Sequence, residues 1–187
     1  MKAILSSGRN HRLARLGIFL IVIAWIVGVA GCGSLPIEIH DWHDLDAVRD
    51  NMRGSYILMN DLDSTTAGYE ELASPTANEG KGWQPIGSVA INRAFVGSFD
   101  GQGYEIRDLF INHPDESDVG LFGVVGEGGV IENVGVVNDN VTGYGDVGSL
   151  VGYNRGTVKN SCAYGNVTGD LDVGSLVGVN DGTVSNS

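Results

Sequence analysis

The stretch that determines the fold lies at the C-terminal end of the chain. Residues 146–171 read DVGSLVGYNRGTVKNSCAYGNVTGDL, and residues 172–187 read DVGSLVGVNDGTVSNS. The second copy is identical to the first at 13 of its 16 positions, at an offset of 26 residues. A more divergent copy, DVGLFGVVGEGGVIENVGVVNDNVTGYG, begins at Asp118. Self-similarity at a fixed period of this size is typical of proteins built from stacked repeats.

The residue types inside one repeat favour short strands rather than helices. Glycine recurs every three to five residues, and Val, Thr and Tyr dominate between the glycines, which is the pattern of strands separated by turns. The Leu-x-x-Leu-x-Leu spacing of leucine-rich repeats is absent from the sequence. We predict strands near 149–153, 157–163 and 166–168. Gly156 and Gly165 are expected at corners, where a positive φ would suit glycine.

Alternation along these strands predicts which side chains face the interior. The expected inward set is Val147, Leu150, Val158, Cys162 and Val167, and its equivalents one repeat later are Val173, Leu176 and Val184. Parallel stacking in register would also place Asn160 between Asn133 and Asn186. Such asparagine ladders satisfy amide groups from one coil to the next. The acidic residues Asp118, Asp146 and Asp172 are expected at corners of the coils.

Segment 148–169 resembles the GLUG repeat of bacterial secreted and surface proteins. The motif Gly-x-Leu-Val-Gly occurs at 148–152 and 174–178, with Gly-Leu-Phe-Gly at 120–123. The upstream segments 56–63, 83–87 and 95–104 resemble the region that often precedes such repeats. The resemblance implies an all-β fold, a right-handed parallel β-helix, with 118–187 as its GLUG-like part. It implies no particular reaction.

Residues 32–54 are predicted to form a linker and an N-terminal cap helix. Leu45, Val48 and Met52 share one helical face, Asp44 is the expected N-cap, and Gly54 is expected to end the helix. Such a cap would cover the exposed end of the solenoid core.

The first coils are expected in 55–117. They would begin with a strand at 55–61, followed by a long polar surface loop at 64–82. At the other end the last coil stops in mid-repeat at Ser187, so we expect the natural chain to continue.

The N-terminus is predicted to be a lipoprotein signal peptide, residues 1–31. Basic residues precede an uninterrupted apolar run at 16–30, which has the length of a secretory signal rather than of a spanning helix. Residues 29–32, Val-Ala-Gly-Cys, resemble a bacterial lipobox, which would make Cys32 the lipidated residue. Gly33 and Ser34 follow, rather than Asp, and by the same resemblance this favours the outer membrane in a Gram-negative host. The alternative is an uncleaved signal anchor.

The charge distribution excludes one class of partner. Residues 32–187 carry all 23 acidic residues and only seven basic ones, a net charge of −16. A nucleic-acid binder needs a basic face to neutralise phosphates. We therefore expect no nucleic-acid partner, and membrane association only through the lipid anchor.

Candidate catalytic chemistry is sparse, and we expect no metal, cofactor or catalytic residue within this chain. His40 and His43 lie near Asp41 and Asp44 without the spacing of a metal site. Calcium binding by Asp61 with Asp63, or by Asp170 with Asp172, stays open as an alternative. Residues 101–103, Gly-Gln-Gly, are expected in a tight turn rather than in a dinucleotide-binding loop. Cys162 is expected to be buried and unreactive.

Two function classes remain after these exclusions. The first is a non-enzymatic, lipid-anchored bacterial surface protein, adhesin-like or a structural β-helical stalk, whose ligand would be a host, matrix or glycan component. The second is the N-terminal part of a larger secreted enzyme, acting on polysaccharide or resembling an immunoglobulin A peptidase, with catalysis beyond residue 187.

Overall fold

The computed structural model describes residues 35–88 and 93–187. The predicted signal peptide, Cys32 and residues 89–92 lie outside the described residues. The strands in chain order are β1 (Ile37–Ile39), β2 (Ser55–Leu58), β3 (Ser98–Asp100), β4 (Glu105–Arg107), β5 (Phe110–Val119), β6 (Phe122–Val125), β7 (Val130–Glu132), β8 (Gly135–Gly148), β9 (Val151–Asn154), β10 (Thr157–Lys159), β11 (Cys162–Thr168), β12 (Val173–Gly174), β13 (Val177–Asn180) and β14 (Thr183–Ser185). The α-helices are α1 (Trp42–Asp46) and α2 (Tyr69–Leu72), and 3-10 helices cover Ala47–Asp50 and Ala77–Gly80.

These strands form three parallel sheets that wind as a β-solenoid. The first sheet has the order β1-β2-β3-β7-β10-β14. In the second sheet, β8 pairs with β4 and β5 of the preceding turn and with β11 and β12 of the following turn. The third sheet has the order β13-β9-β6. Complete turns therefore cover 98–129, 130–156 and 157–182, and the predicted all-β parallel β-helix is confirmed.

Stacking is in register at the spacing that the repeats predict. Thr157 pairs with Thr183 in the first sheet, and Val151 pairs with Val177 in the third. The amide of Leu150 donates to the carbonyl oxygen of Leu176 at 3.1 Å. Equivalent residues of successive repeats therefore lie directly above one another, and the 26-residue period is one turn of the solenoid.

The inward register of the repeat is confirmed except at Cys162 and at Val173 and Val184 of the last turn, which are 45% and 39% exposed. Val147, Leu150 and Val158 are fully buried, and Val167 and Leu176 pack against the core. Cys162 is exposed, whereas Ser161 is buried and Ala163 contacts the core. The predicted strand 157–163 is interrupted at its corner, and this interruption shifts the alternation by one residue and turns Cys162 outward.

The corners use Asp and Asn where we expected glycine. Gly156 and Gly165 have ordinary φ values, so the expected positive φ is wrong at both positions. Left-handed conformations occur instead at two columns of equivalent polar residues. These are Asp118, Asp146 and Asp172 in one column and Asn133, Asn160 and Asn186 in the other, with φ between 49° and 61°. Asp and Asn tolerate this region because their short polar side chains bond locally to the backbone.

Glycine is required instead where successive turns approach most closely. Gly54, Gly97, Gly129, Gly156 and Gly182 lie at equivalent positions of successive turns, and we call them the glycine column. The carbonyl oxygen of Gly129 accepts from Thr157 N, and that of Gly156 accepts from Thr183 N, both at 2.9 Å. A Cβ on Gly156 would overlap the carbonyl oxygen of Gly129, and one on Gly182 would overlap that of Gly156. A larger residue in this column therefore opposes the pairing of the first sheet.

The N-terminal cap exists, but it starts earlier than predicted. Asp41, not Asp44, is the N-cap of α1, because its carboxylate accepts from the amide of Asp44 at 2.9 Å. Strand β1 precedes the helix and pairs with β2, so the segment 32–54 also contributes a strand. Leu45 and Val48 are fully buried, as the predicted helical face requires.

The segment predicted as a polar surface loop, 64–82, is folded against the core. Helix α2 and a 3-10 helix lie within it, and Tyr69, Ala73 and Ala77 are buried. The ring of Tyr69 lies 5.9 Å from that of Trp42, and Trp42 lies 5.8 Å from Trp83. A few apolar residues in a polar segment carry no periodicity, so the sequence pattern missed this packing.

Substitution of the stacked leucines tests the register. We expect Leu150→Ala to lower the free energy of unfolding by about 2–5 kcal/mol, because it leaves a cavity in the core. Leu176→Ala should cost less, because Leu176 is only partly buried. The measurement is urea unfolding of the full chain in a mild neutral detergent, followed by circular dichroism. Asp170→Ala, at an exposed corner, is the control, and a midpoint equal to that of Leu150→Ala would contradict the register.

Substitution in the glycine column tests the close approach of the turns. We expect Gly156→Ala to destabilise the protein by about 1–3 kcal/mol or more, because the added methyl group forces the turns apart. Gly145→Ala is the matched control, since the nearest atom to its Cβ would be the Ser117 hydroxyl, at 3.1 Å, and Leu171 would lie at an ordinary contact distance of 3.7 Å. Equal thermal midpoints for the two variants would show that the column imposes no constraint.

Candidate functional site

The predicted lipidation site, Cys32, lies outside the described residues, so its modification stays a prediction. Across 35–88 and 93–187, no helix is long and apolar enough to cross a membrane. The candidate sites described below lie on the solenoid and its cap.

The acidic corner residues form a column of carboxylates. Asp118, Asp146 and Asp172 occupy equivalent corners of successive turns, just before the paired Val119, Val147 and Val173. Burial, and then the charges of Asp118 and Asp172, raise the pKa of Asp146. Stacking in register brings these like charges together. The residues are aspartates because each corner requires a left-handed backbone conformation, which aspartate tolerates.

The predicted asparagine ladder is present between Asn160 and Asn133, and it extends to a carboxylate. Asn160 Nδ2 donates to Asn133 Oδ1 at 3.1 Å, and Asn133 Nδ2 donates to Asp100 Oδ1 at 2.9 Å. A shorter pair of the same kind joins Asn138 Nδ2 to Asp108 Oδ1 at 2.6 Å. This bond is the main reason that the pKa of Asp108 is lowered. These polar groups satisfy one another between turns, which is a structural role.

A second asparagine ladder was missed by sequence reasoning. Asn154 is fully buried, and its Nδ2 donates to Asn180 Oδ1 at 2.7 Å. Its Oδ1 accepts from the amide of Gly156 at 3.0 Å, and Asn180 Oδ1 accepts from Gly182 in the same way. The signal was present in the sequence, because Asn154 and Asn180 are 26 residues apart and each precedes a glycine of the column by two positions.

Two ionisable side chains of the described residues, His113 and Asp139, are almost completely buried. Asp139 is buried, and its Oδ2 accepts from the Ser149 hydroxyl at 2.5 Å. Its Oδ1 has no hydrogen-bond partner and lies against Gly165, where a Cβ would overlap it. Burial raises the pKa of Asp139, and the Ser149 bond only partly opposes this. No sequence pattern singled out Asp139, because it stands in the polar run 138–140.

The histidines and acids of the cap make local contacts. His40 Nε2 lies 3.2 Å from Glu38 Oε2, and His43 Nε2 lies 2.8 Å from Glu71 Oε2. These side chains are exposed, and exposed pairs contribute little to stability. Asp41 caps α1 as described above.

Asp61 and Asp63, one of the two candidate calcium pairs, bind neighbouring groups of the chain. Asp61 Oδ1 accepts from the amide of Glu105 at 2.9 Å, and Asp63 Oδ1 accepts from Thr65 and Thr66, which lowers its pKa. No group of three potential metal ligands occurs among residues 35–88 and 93–187. Gln102 and Gly103 both have positive φ, and this geometry confirms the predicted tight turn.

The sequence of this chain is similar to short segments of two much longer proteins. No protein-family model matches it. It is 36% identical over 134 residues to "Halomucin" of Haloquadratum walsbyi, a match covering 70% of this chain and 1% of that protein. It is 38% identical over 138 residues to a "Putative Gly-rich membrane protein" of Evansella cellulosilytica, covering 71% of this chain and 15% of that protein. The chain therefore spans only a small part of these relatives.

A solved structure is similar over part of its length. A Bacteroides ovatus protein described as a "putative immunoglobulin A1 protease" aligns at a TM-score of 0.47 and 21% identity. The alignment covers 71% of this chain and 38% of that one.

The buried carboxylate predicts how stability depends on pH. A raised native pKa means that ionisation of Asp139 opposes folding. Asp139 therefore lowers the free energy of unfolding increasingly as the pH rises above about 3.9, the pKa of an aspartate in the unfolded chain. Asp139→Asn removes this charge and keeps an acceptor for Ser149. We expect the variant to exceed the wild type in unfolding free energy by about 1–3 kcal/mol at pH 7. Urea unfolding at pH 4 and pH 7 measures the difference, which should shrink at pH 4. A constant difference would contradict the burial of a charge.

Proposed function

We propose that this chain is a lipid-anchored bacterial surface protein whose β-solenoid serves as a non-enzymatic, adhesin-like or structural stalk. The observation that carries the proposal is the stacking in register of nearly identical turns, Thr157 on Thr183 and Val151 on Val177. A unit that pairs with a copy of itself extends by simple repetition, and solenoids of this kind build long, stiff surfaces.

The names and the lengths of the two similar proteins support this proposal. One carries the name of a mucin and the other that of a glycine-rich membrane protein, and this chain matches only a small part of each. A repeat module within a long envelope protein is consistent with both names. The assignment of the repeats to the GLUG type belongs to the same proposal.

The anchor is proposed from the N-terminal sequence. Lys2, Arg9, Arg12 and Arg15 precede the apolar run, and small residues precede Cys32. A thiol at this junction can form a thioether to a diacylglycerol. Because one acyl chain gives only reversible membrane binding, several chains on one cysteine would hold the protein at the membrane surface far more firmly.

Metabolic labelling tests the anchor. The full chain is expressed in a bacterium with labelled palmitate, and we expect the label in the wild type and none in Cys32→Ser. Cys162→Ser is the matched control, because it removes the exposed thiol of the solenoid and should keep the label. Unchanged labelling of Cys32→Ser would overturn the lipid anchor, and protection of the wild type from protease added to intact cells would overturn the surface location.

A further inference from the structure

A groove runs along the outside of the solenoid, parallel to its axis. It encloses about 620 Å³, within the range of about 300–1,000 Å³ that is usual for ligand sites. Apolar side chains line its floor, among them Met52, Val96 and Val124. Arg53, Arg93 and Arg155 also line it, together with Tyr153 and Asp50.

The groove crosses the closing segments of four successive turns. Arg53 ends the turn that contains α1, Arg93 lies at the end of the next, and Val124 and Arg155 belong to the third and fourth. Strands in a sheet lie about 4.8 Å apart, so three such steps span about 14 Å. The site is therefore elongated, and it fits a short length of a linear chain better than a compact small molecule.

Basic side chains outnumber acidic ones among the residues that line this groove, with three arginines and one aspartate, Asp50. Three of the seven basic residues in 32–187 line it, in a part of the chain whose net charge is −16. The Arg53 guanidinium has no hydrogen-bond or ion-pair partner among the described residues. Arg93 donates one bond, to the carbonyl oxygen of Arg49 at 2.6 Å. Arg155 pairs with Glu127 at 3.0 Å, but both side chains are largely exposed. Such a pair contributes little free energy, so the anionic group of a ligand can take the place of Glu127.

An oriented aromatic ring stands beside these arginines. The Tyr153 hydroxyl donates to Asp181 Oδ2 at 2.6 Å, which raises the pKa of this tyrosine and fixes the direction of its ring. Tyr153 pairs with Val124 in the turn before and with Val179 in the turn after. The Tyr153 ring lines one part of the groove, where it offers a stacking surface.

Main-chain groups of the floor are already paired between turns. Phe95 N donates to Val124 O at 2.9 Å, Gly126 N donates to Phe95 O at 2.9 Å, and Arg155 N donates to Val125 O at 2.8 Å. An extended peptide gains its affinity largely from free backbone groups at a sheet edge. The floor does not offer these groups, so recognition here depends on side chains.

We propose that this groove binds a segment of an acidic polysaccharide. Guanidinium groups match carboxylate and sulfate geometry with paired hydrogen bonds, and the Tyr153 ring would receive the apolar face of a sugar. The assignment rests on the adhesin-like part of the proposed function and names its ligand class. A folded protein partner would need an interface of about 800 Å² per side, which a groove of this size does not supply alone.

Binding is tested with the full chain in a neutral detergent, by calorimetric titration with oligogalacturonate. We expect saturable binding that weakens with added salt and a loss of affinity of at least tenfold in Arg53→Gln/Arg155→Gln. Lys81→Gln/Arg107→Gln, which also removes two positive charges but lies away from the groove, should bind like the wild type. Tyr153→Ala should lose about tenfold, whereas Tyr153→Phe, which keeps the ring, should change affinity by less than threefold.

Further probes identify the source of the negative charge. Dextran sulfate that binds more tightly than oligogalacturonate would assign sulfated sugars, and the reverse would assign uronates. The proposal is overturned if neither probe binds, if neutral dextran or polyglutamate binds equally well, or if the double arginine variant is unchanged. Palmitate labelling of the same preparations is independent of these results, so loss of the ligand site and loss of the anchor are told apart.

Discussion

The close contact of glycine with glycine between successive turns is the constraint on which the rest of the structure depends. At each turn the carbonyl oxygen of one column glycine accepts a bond from the residue that follows the next column glycine. This bond places the second Cα against the first carbonyl, where a side chain has no room. The five strands β2, β3, β7, β10 and β14 pair in one register because the hydrogen bond repeats from turn to turn, with this close contact at Gly97, Gly156 and Gly182.

Exact stacking has opposite consequences for amides and for carboxylates. An asparagine has both a donor and an acceptor, so Asn133 and Asn160, or Asn154 and Asn180, satisfy each other when they are stacked. An aspartate only accepts, so the column brings like charges together, and burial followed by the charges of Asp118 and Asp172 raises the pKa of Asp146. The aspartates remain at these corners because they adopt the left-handed backbone conformation that the turn requires.

The interior of the solenoid is filled, and this leaves the outer faces for recognition. Towards the N-terminal end the filling is aromatic, with the Phe122 ring 5.0 Å from Phe95 and 5.3 Å from Phe99. In the repeats it is aliphatic, and Leu150 stacks on Leu176. His113 and Asp139 are buried polar exceptions, and Ser149 holds the carboxylate of Asp139. Arginines from different turns meet only on the outside, where the winding of the chain aligns residues that are far apart in sequence.

The sequence by itself determined the period of the solenoid, its parallel strands and most of its inward side chains, because a repeat of 26 residues stacked on itself leaves few alternatives. It also predicted the ladder of Asn133 and Asn160. The tertiary structure decided what depends on the exact path of each corner. The turn at Asn160 exposes Cys162 and buries Ser161, Asp41 rather than Asp44 caps α1, and residues 64–82 fold onto Trp42. The groove of Arg53, Arg93 and Arg155 also belongs to the tertiary structure, since these residues meet only when the turns are stacked and no local pattern links them.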